Sequence, residues 1–454
     1  MKKKKNSRFW FLSAAASGAM LNPLNSSMIS LAIHRIQTDF HLSFATVSWL
    51  ISSFYLSSVI AQPVMGKIAD QFGRKNTFLA GLILVAISAI GAPWAPTFLV
   101  LIFLRLFQSV GSSAIYPSAI SLVRDHIKEK QASALAVIST FTSATAALGP
   151  TIGGLLISWG DWPAIFTINF PILIVSFFLG WISFPKDPKR GKPLRQIIRE
   201  FDIPGIILFA IGMSFILWFL LTLENNLHIV VGLIGVIFFL AFIVRELKTE
   251  EAFINLRTFK TNTALTLVLV QFVALNIYNY SLFFGLPSYF QDEMHLNVRT
   301  SGLLMLFLSG FSMIISPIAG KWIDRSGYKI PLSVGTGLMV VGGILLSTIF
   351  VKSSIVIMAC ILIVVGISYG LNNVALQSAL IKVTPPQMTG TASGLFQSSR
   401  YMGSILSSIV LGILFGKEIT AHHFQMLGCV LIAVSAATCL MNVKFTRYSP
   451  EKMY

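Results

Sequence analysis

The chain has 454 residues, of which 55% are hydrophobic and only 11% charged, whereas a soluble domain of ordinary composition carries about 25% charged residues. That excludes an ordinary soluble enzyme and makes lipid the main solvent. A net charge of +17 would suit nucleic acid, but the basic residues sit in short islands between apolar runs, so no nucleic-acid partner is expected and a bilayer surface is.

The N-terminal run of Lys2 to Lys5 resembles the basic region of a signal peptide. No small-residue cleavage site ends the apolar run from Phe9, so this run reads as an uncleaved first span. Stretches long enough to cross a bilayer, about 17–25 residues, follow one another along the chain. They fall at 9–32, 44–66, 77–93, 97–121, 132–158, 163–184, 203–222, 227–244, 262–287, 300–320, 331–350, 354–380, 390–414 and 424–442. Fourteen spans put both termini on one side. With that side inside, 28 of the 34 Lys and Arg lie on inner segments. Four (Arg35, Arg299, Lys352, Lys417) lie outside, and Arg105 and Arg400 lie within spans. Both termini are therefore expected in the cytoplasm. Cys360, Cys429 and Cys439 form no metal or redox spacing, and no cofactor or metal site is expected.

Sliding the sequence against itself by 254 residues gives one fixed register of matches. Asn22, Asn25 and Ser27 meet Asn276, Asn279 and Ser281, while Gln37, His41, Leu42 and Thr46 meet Gln291, His295, Leu296 and Thr300. Pro63, Gly66, Lys67, Asp70, Gly73 and Lys75 meet Pro317, Gly320, Lys321, Asp324, Gly327 and Lys329. The first three spans are thus repeated as spans nine to eleven. The expected organisation is a six-helix bundle at 1–184, a cytoplasmic linker at 185–202, an inserted pair with its loop at 203–261, and a second six-helix bundle at 262–454. Two such repeats are a carrier architecture with a site between them.

The run Gly66 to Lys75 is similar to the G-x-L-A-D-x-x-G-R-K loop of the major facilitator superfamily, and the count of spans resembles its fourteen-helix drug:proton antiporter group. The resemblance covers nearly the whole chain. It implies an all-α membrane protein of two six-helix repeats plus two inserted helices, in a bacterial plasma membrane, exporting drugs by proton antiport. Gly66 and Gly73 allow a tight turn, and Asp70 and Arg74, with Asp324 in the echo, supply charges that can latch helix ends. Arg105 and Gln108 are similar to the family's R-x-x-Q-G motif, whose arginine the resemblance implicates in proton coupling. The second half is apolar at the corresponding place, around Val364 and Val365. Gly149, Pro150, Gly153 and Gly154 resemble the antiporter motif G-P-x-x-G-G, in which proline bends the helix and glycines admit a close neighbour. The entry to the sixth span, Trp162 to Pro171, is similar to the family's and reads as structural.

In the first span the pattern departs. Asn25 stands where the group carries an aspartate, and His34 where it carries proline. None of the 17 acidic residues falls inside an expected span. Proton coupling then moves to the rim: Asp39 and its repeat partner Glu293, Asp292, Glu224 or His34, each weighed against a plain solvated or interfacial role. An interior with Arg105 and Arg400 but no carboxylate suits neutral or zwitterionic amphiphiles, fluoroquinolone-like in character, whose own carboxylate can meet an arginine. Candidate lining residues are Asn22, Asn25, Ser26, Gln108, Tyr116, Asn276, Tyr278, Asn279, Tyr280, Asn372, Asn373, Gln397 and Arg400, the alternative being helix–helix packing. Expected partners are a small amphiphilic substrate, protons and the bilayer, for a monomer. A dedicated exporter of one physiological solute, an uncoupled facilitator and a non-transporting sensor on the same fold remain alternatives. Catalytic motifs and the Walker loop of an ATP-driven pump are absent from the sequence.

Overall fold

The computed structural model describes residues 2–42, 44–47, 49–187, 202–222, 229–249, 252–254, 256–415 and 419–448, and among them every regular element is helical. In chain order the long helices are α1 (Lys2–Ala19), α2 (Leu21–Asp39), α3 (Trp49–Phe72), α4 (Arg74–Gly91), α5 (Phe98–His126), α6 (Gln131–Gly160), α7 (Asn169–Ser183) and α8 (Ile203–Thr222). They continue with α9 (Ile229–Lys248), α10 (Thr263–Ser288), α11 (Val298–Ser326), α12 (Lys329–Thr348), α13 (Ile355–Val383), α14 (Thr389–Phe415) and α15 (Ala421–Tyr448).

Local chemistry sets several boundaries. Thr97, Asn262 and Asn297 accept backbone N–H groups with their side chains at the starts of α5, α10 and α11, satisfying donors that the helix itself cannot reach. Gly73 (φ +108°) ends α3 and Gly327 (φ +75°) ends α11, at positions related by the repeat. His41 (φ 51°) and His295 (φ 53°), also repeat partners, share the left-handed conformation after α2 and before α11.

Ten helices among the described residues are long and apolar enough to cross a membrane, fewer than the fourteen expected. The stretches expected at 9–32, 44–66, 132–158 and 203–222 are helical too, but are not among the ten. The first is divided at Met20, α3 carries Ser52, Ser53, Ser57, Ser58 and Gln62, and the apolar run of α8 ends at Ile216. Large apolar side chains face outward, Trp94 at 83% exposure and Ile413 at 77%, an arrangement favourable only where lipid meets them.

Packing divides the chain into two units. Unit 1 holds 1–129, 137–197 and 385–398; unit 2 holds 130–136, 198–384 and 399–454. Each unit repeats the same internal pairings. In unit 1, α5 packs on α3 and α4, and α4 on α7; in unit 2, α13 packs on α11 and α12, and α12 on α15. The inserted α8 and α9 pack on each other inside unit 2. α6 and α14 each change unit along their length, their first turns belonging to one and the remainder to the other.

Close approach explains which glycines matter. A Cβ on Gly66 would lie 2.2 Å from the Gly390 carbonyl oxygen, and one on Gly320 2.9 Å from that of Ala132. Along α6, a Cβ on Gly149 would collide with Ser27 and one on Gly153 would press on Met28 at 3.2 Å. Gly154 is exposed. α6 runs as one helix through Pro150, whose side chain lies outside the described residues.

Gly66→Ala is expected to destabilise the protein by about 1–3 kcal/mol, because backbone rather than a flexible side chain must yield. Gly302→Ala, with nothing within 4 Å of the added carbon, should stay within about 0.5 kcal/mol of the parent. Thermal unfolding of the two variants in detergent checks the contrast; equal shifts would refute it.

Candidate functional site

Three constellations bring polar residues together, each inside one unit. The first is a carboxylate at a helix start, built twice. Asp70, near the end of α3, accepts the N–H groups of Gly390 (2.9 Å) and Thr391 (2.9 Å) at the first turn of α14. Asp324, near the end of α11, accepts those of Ala132 (2.9 Å) and Ser133 (3.0 Å) at the first turn of α6, and the Ser133 hydroxyl as well. The first four N–H groups of a helix lack internal acceptors and carry the positive end of its dipole, so a carboxylate there is held strongly. Arg74 frames the first clasp, donating to Asp70 (3.5 Å), the Pro386 carbonyl (3.2 Å) and Asp125.

The second lies among α2, α5 and α7 in unit 1. Asn25 is its hub. Its amide donates to Asn169 Oδ1 (2.8 Å) and the Leu21 carbonyl (2.8 Å), and its Oδ1 accepts from Gln108 (3.0 Å) and Asn169 (2.9 Å). Arg105 Nη2 donates to the Asn25 carbonyl oxygen (2.6 Å) and Nη1 to Gln108 Oε1. The guanidinium lies 4.2 Å from the centre of the Phe54 ring, and Arg105 is 1% exposed. Backbone, amide and ring enclose this arginine, which meets much of the cost of placing a cation so deep. Asn22 is buried and donates to Ser112 (3.0 Å), so both asparagines sit at helix joints. Ser26 is half-buried and bonded to Tyr55, which lies near Arg105.

The third lies in unit 2. Arg400, half-buried on α14, donates to Asn373 Oδ1 at 3.5 Å and lies 5.7 Å from the Phe272 ring centre. Asn276 stands one turn from Phe272 and donates to its carbonyl (2.7 Å). Asn372 is held by Thr336 (3.2 Å) and Ser368 (3.0 Å), a packing role. Tyr278 is buried with its hydroxyl against Gly342, while Asn279 and Tyr280 are half-buried, Tyr280 among Phe283 and Phe284. Tyr116 and Gln397 are buried in unit 1.

Asp39 accepts the Trp162 indole N–H (2.6 Å), Glu293 accepts the Ala421 N–H (3.1 Å), and Asp292 is exposed. Glu224 and the side chain of His34 lie outside the described residues.

Sequence reasoning missed Phe54 and Tyr55, and took Asn169 for a structural residue. An amide alone in an apolar run was the available signal for Asn169; nothing distinguished Phe54 from a lipid-facing ring. It also placed Glu246 in a loop, whereas α9 continues through Lys248 and buries Glu246 to 1% exposure.

A model of the Major Facilitator Superfamily matches residues 15–408. The chain is 60% identical over 441 residues to the uncharacterized MFS-type transporter YwoD of Bacillus subtilis (strain 168), covering 97% of this chain and 98% of that protein. It is 28% identical to the tetracenomycin C resistance and export protein of Streptomyces glaucescens, over 90% of this chain and 76% of that one. Among solved structures, the proton:xylose symporter XylE has a TM-score of 0.69, covering 97% of this chain and 96% of that one at 13% identity, a likeness of fold alone.

Asn25→Ala should destabilise the protein by about 2 kcal/mol or more, since buried amides of Gln108 and Asn169 lose their acceptor. Asn22→Ala, which removes one bond to a hydroxyl, should cost about 1 kcal/mol. Thermal melts rank the two; an Asn22→Ala cost equal to the Asn25→Ala cost would contradict the hub.

Proposed function

Because this chain belongs to the Major Facilitator Superfamily, a family of membrane transporters rather than enzymes, we propose that it exports amphiphilic small molecules by proton antiport and alternating access. In this reading fourteen helices cross a bacterial plasma membrane with both termini in the cytoplasm. Residues 1–184 and 262–454 form the two repeats, with 203–261 inserted.

The observation that carries the reading is the doubled clasp at Asp70 and Asp324. A carrier must occupy two states of comparable free energy. Two equivalent carboxylate–helix contacts, on α6 and α14, suit that need: each is strong when made and lies within a turn of a helix end, where few other contacts must break with it. The relative named for tetracenomycin C resistance and export supports export over uptake. It also supports the second reading, a dedicated exporter of one solute, since its name specifies a single compound.

For the cargo, the two deep arginines divide the work. Arg105 is enclosed at 1% exposure, and its part in coupling is to hold the α2–α5–α7 hub. Arg400 is half-buried and beside Phe272, so it is the guanidinium that meets a substrate carboxylate, with Asn276 and Asn373 close by. That favours neutral or zwitterionic amphiphiles over permanent cations. The proton is taken at the rim, where Asp39 accepts the Trp162 indole N–H and Glu293 the Ala421 N–H.

Proton release from energised everted vesicles, on adding norfloxacin, ethidium or a neutral dye, tests the reading. Wild type should collapse the pH gradient with norfloxacin. Asp39→Asn should lower the initial rate at least tenfold, and Arg400→Ala should lower the response to norfloxacin more than that to the neutral dye. No response to any compound from folded, inserted protein would move the assignment to a dedicated exporter or an uncoupled carrier.

A further inference from the structure

The turn that follows each clasp carboxylate is built differently in the two halves. Gly73 and Gly327 are repeat partners with positive φ, and each leads into a helix, α4 or α12. A Cβ on Gly73 would lie 2.3 Å from Asp187 Cγ, whereas one on Gly327 would meet nothing within 4 Å among the described residues. Asp187 follows α7, at the beginning of the segment expected as a linker.

Asp187 Oδ1 accepts the Lys75 N–H (3.1 Å) and Oδ2 the Asn76 N–H (2.9 Å), both in the first turn of α4. Lys75 in turn reaches the end of α7. Its Nζ donates to the carbonyls of Trp181 (2.5 Å) and Phe184 (2.8 Å) and lies 5.7 Å from the centre of the Trp181 ring. The first N–H groups and last carbonyls of a helix have no internal partners, and the two ends carry opposite partial charge. An anion from beyond α7 thus meets the positive end of α4, and a cation from the start of α4 meets the negative end of α7. Four charge-assisted bonds tie the two helix ends together beside the Gly73 turn.

Unit 2 does not repeat this arrangement. There α12 packs on α15 as α4 packs on α7, but α15 runs on as helix from Ala421 to Tyr448 and carries no Asp or Glu over that length. The helix beside α12 therefore has no carboxylate to offer its first turn. The repeat register also puts Tyr328 where the first half has Arg74. The guanidinium that reaches Asp70 and the Pro386 carbonyl is thus not repeated at that position.

We propose that Asp187 and Lys75 are positioning residues that brace the Gly73 turn, so that the clasp at Asp70 opens less often than the clasp at Asp324. The turn stands between Asp70 and the start of α4, and it sets where Arg74 points. With the start of α4 pinned to the end of α7, the turn loses the conformers in which Arg74 swings away from Asp70 and Pro386. A glycine at positive φ is otherwise the least restricted of residues, and Gly327 keeps that freedom. The first turn of α14 is thereby held longer than the first turn of α6. Two latches of the same design acquire an order of release from a brace that only one of them has.

Hydrogen–deuterium exchange on the full-length protein in nanodiscs, corrected for intrinsic rates, reads the clasps directly. The N–H groups of a helix's first turn have no internal acceptor, so their protection reports the carboxylate contact. In wild type, Gly390 and Thr391 should exchange about tenfold more slowly than Ala132 and Ser133. Asp187→Ala should expose the Lys75 and Asn76 amides and bring Gly390 and Thr391 to within about threefold of the Ala132 and Ser133 rate, which should not change. Asp187→Asn, which keeps one acceptor oxygen, should fall between. Lys75→Met, which keeps the backbone donors to Asp187 but loses the bonds to α7, should also accelerate Gly390 and Thr391. Equal rates at the two clasps in wild type would overturn the brace, and so would an Asp187→Ala that frees Lys75 and Asn76 alone. Peptides from α13 report general loosening; should Asp187→Ala accelerate these too, the wild-type comparison and Lys75→Met decide. No readout needs a transported substrate, so failure here is distinct from failure of the transport reading.

Discussion

A carboxylate that accepts the free N–H groups at the start of a helix is the contact on which the rest of this molecule turns. Asp70 does this for α14 and Asp324 for α6. The contact is charge-assisted, directional and bidentate, and it uses donors that would otherwise be left unsatisfied. It forms only because Gly66 and Gly320 let the backbones come close. Asp70 with Gly66, and Asp324 with Gly320, therefore act as units: the glycine supplies the distance and the carboxylate the energy. Since α6 and α14 are also the helices that change packing unit along their length, the strength of these two contacts sets how firmly their first turns are held.

Low dielectric governs the α2–α5–α7 hub. Where the resembled transporters carry an aspartate, this chain has Asn25, and the consequence is structural as well as electrostatic. An amide both donates and accepts, so Asn25 can pair reciprocally with Asn169 and still receive Gln108. A carboxylate at the same place could only accept, and it would pair with Arg105 instead. The arginine turns to the Asn25 backbone carbonyl, Gln108 and the Phe54 face. Charge in this half is thereby held by a backbone carbonyl, an amide and a ring face.

The two halves share geometry but not chemistry. His41 and His295, and Gly73 and Gly327, keep the same sign of φ, and Asp70 and Asp324 keep the same contact with a helix start. The interior differs: among the described residues the amide hub of unit 1 is built on Asn25, whereas Arg400 sits half-buried beside Phe272 and Asn373. Duplication preserved what closes helix ends and diverged in the interior of the helices, and the inserted segment brings the buried Asp202 and Glu246.

Helical class, lipid as solvent, the repeat register and the clasp loops were all legible in the sequence. Each rests on local composition or spacing: apolar runs must shed water, basic residues gather on one side, and a glycine and an aspartate at fixed offsets recur 254 residues apart. Partner identity was not legible. Asn25 reads equally as pore lining or as joint until Asn169, 144 residues away, is seen to bond it. The partners of Arg105 stay open until Phe54 and the Asn25 carbonyl are seen beside it, and Glu246 reads as a loop acid until α9 carries it under Ile254. A hydropathy window reports how much water a segment tolerates; whether a polar group is hydrated, bonded or protonated depends on atoms brought near by the fold, and only tertiary structure decides that.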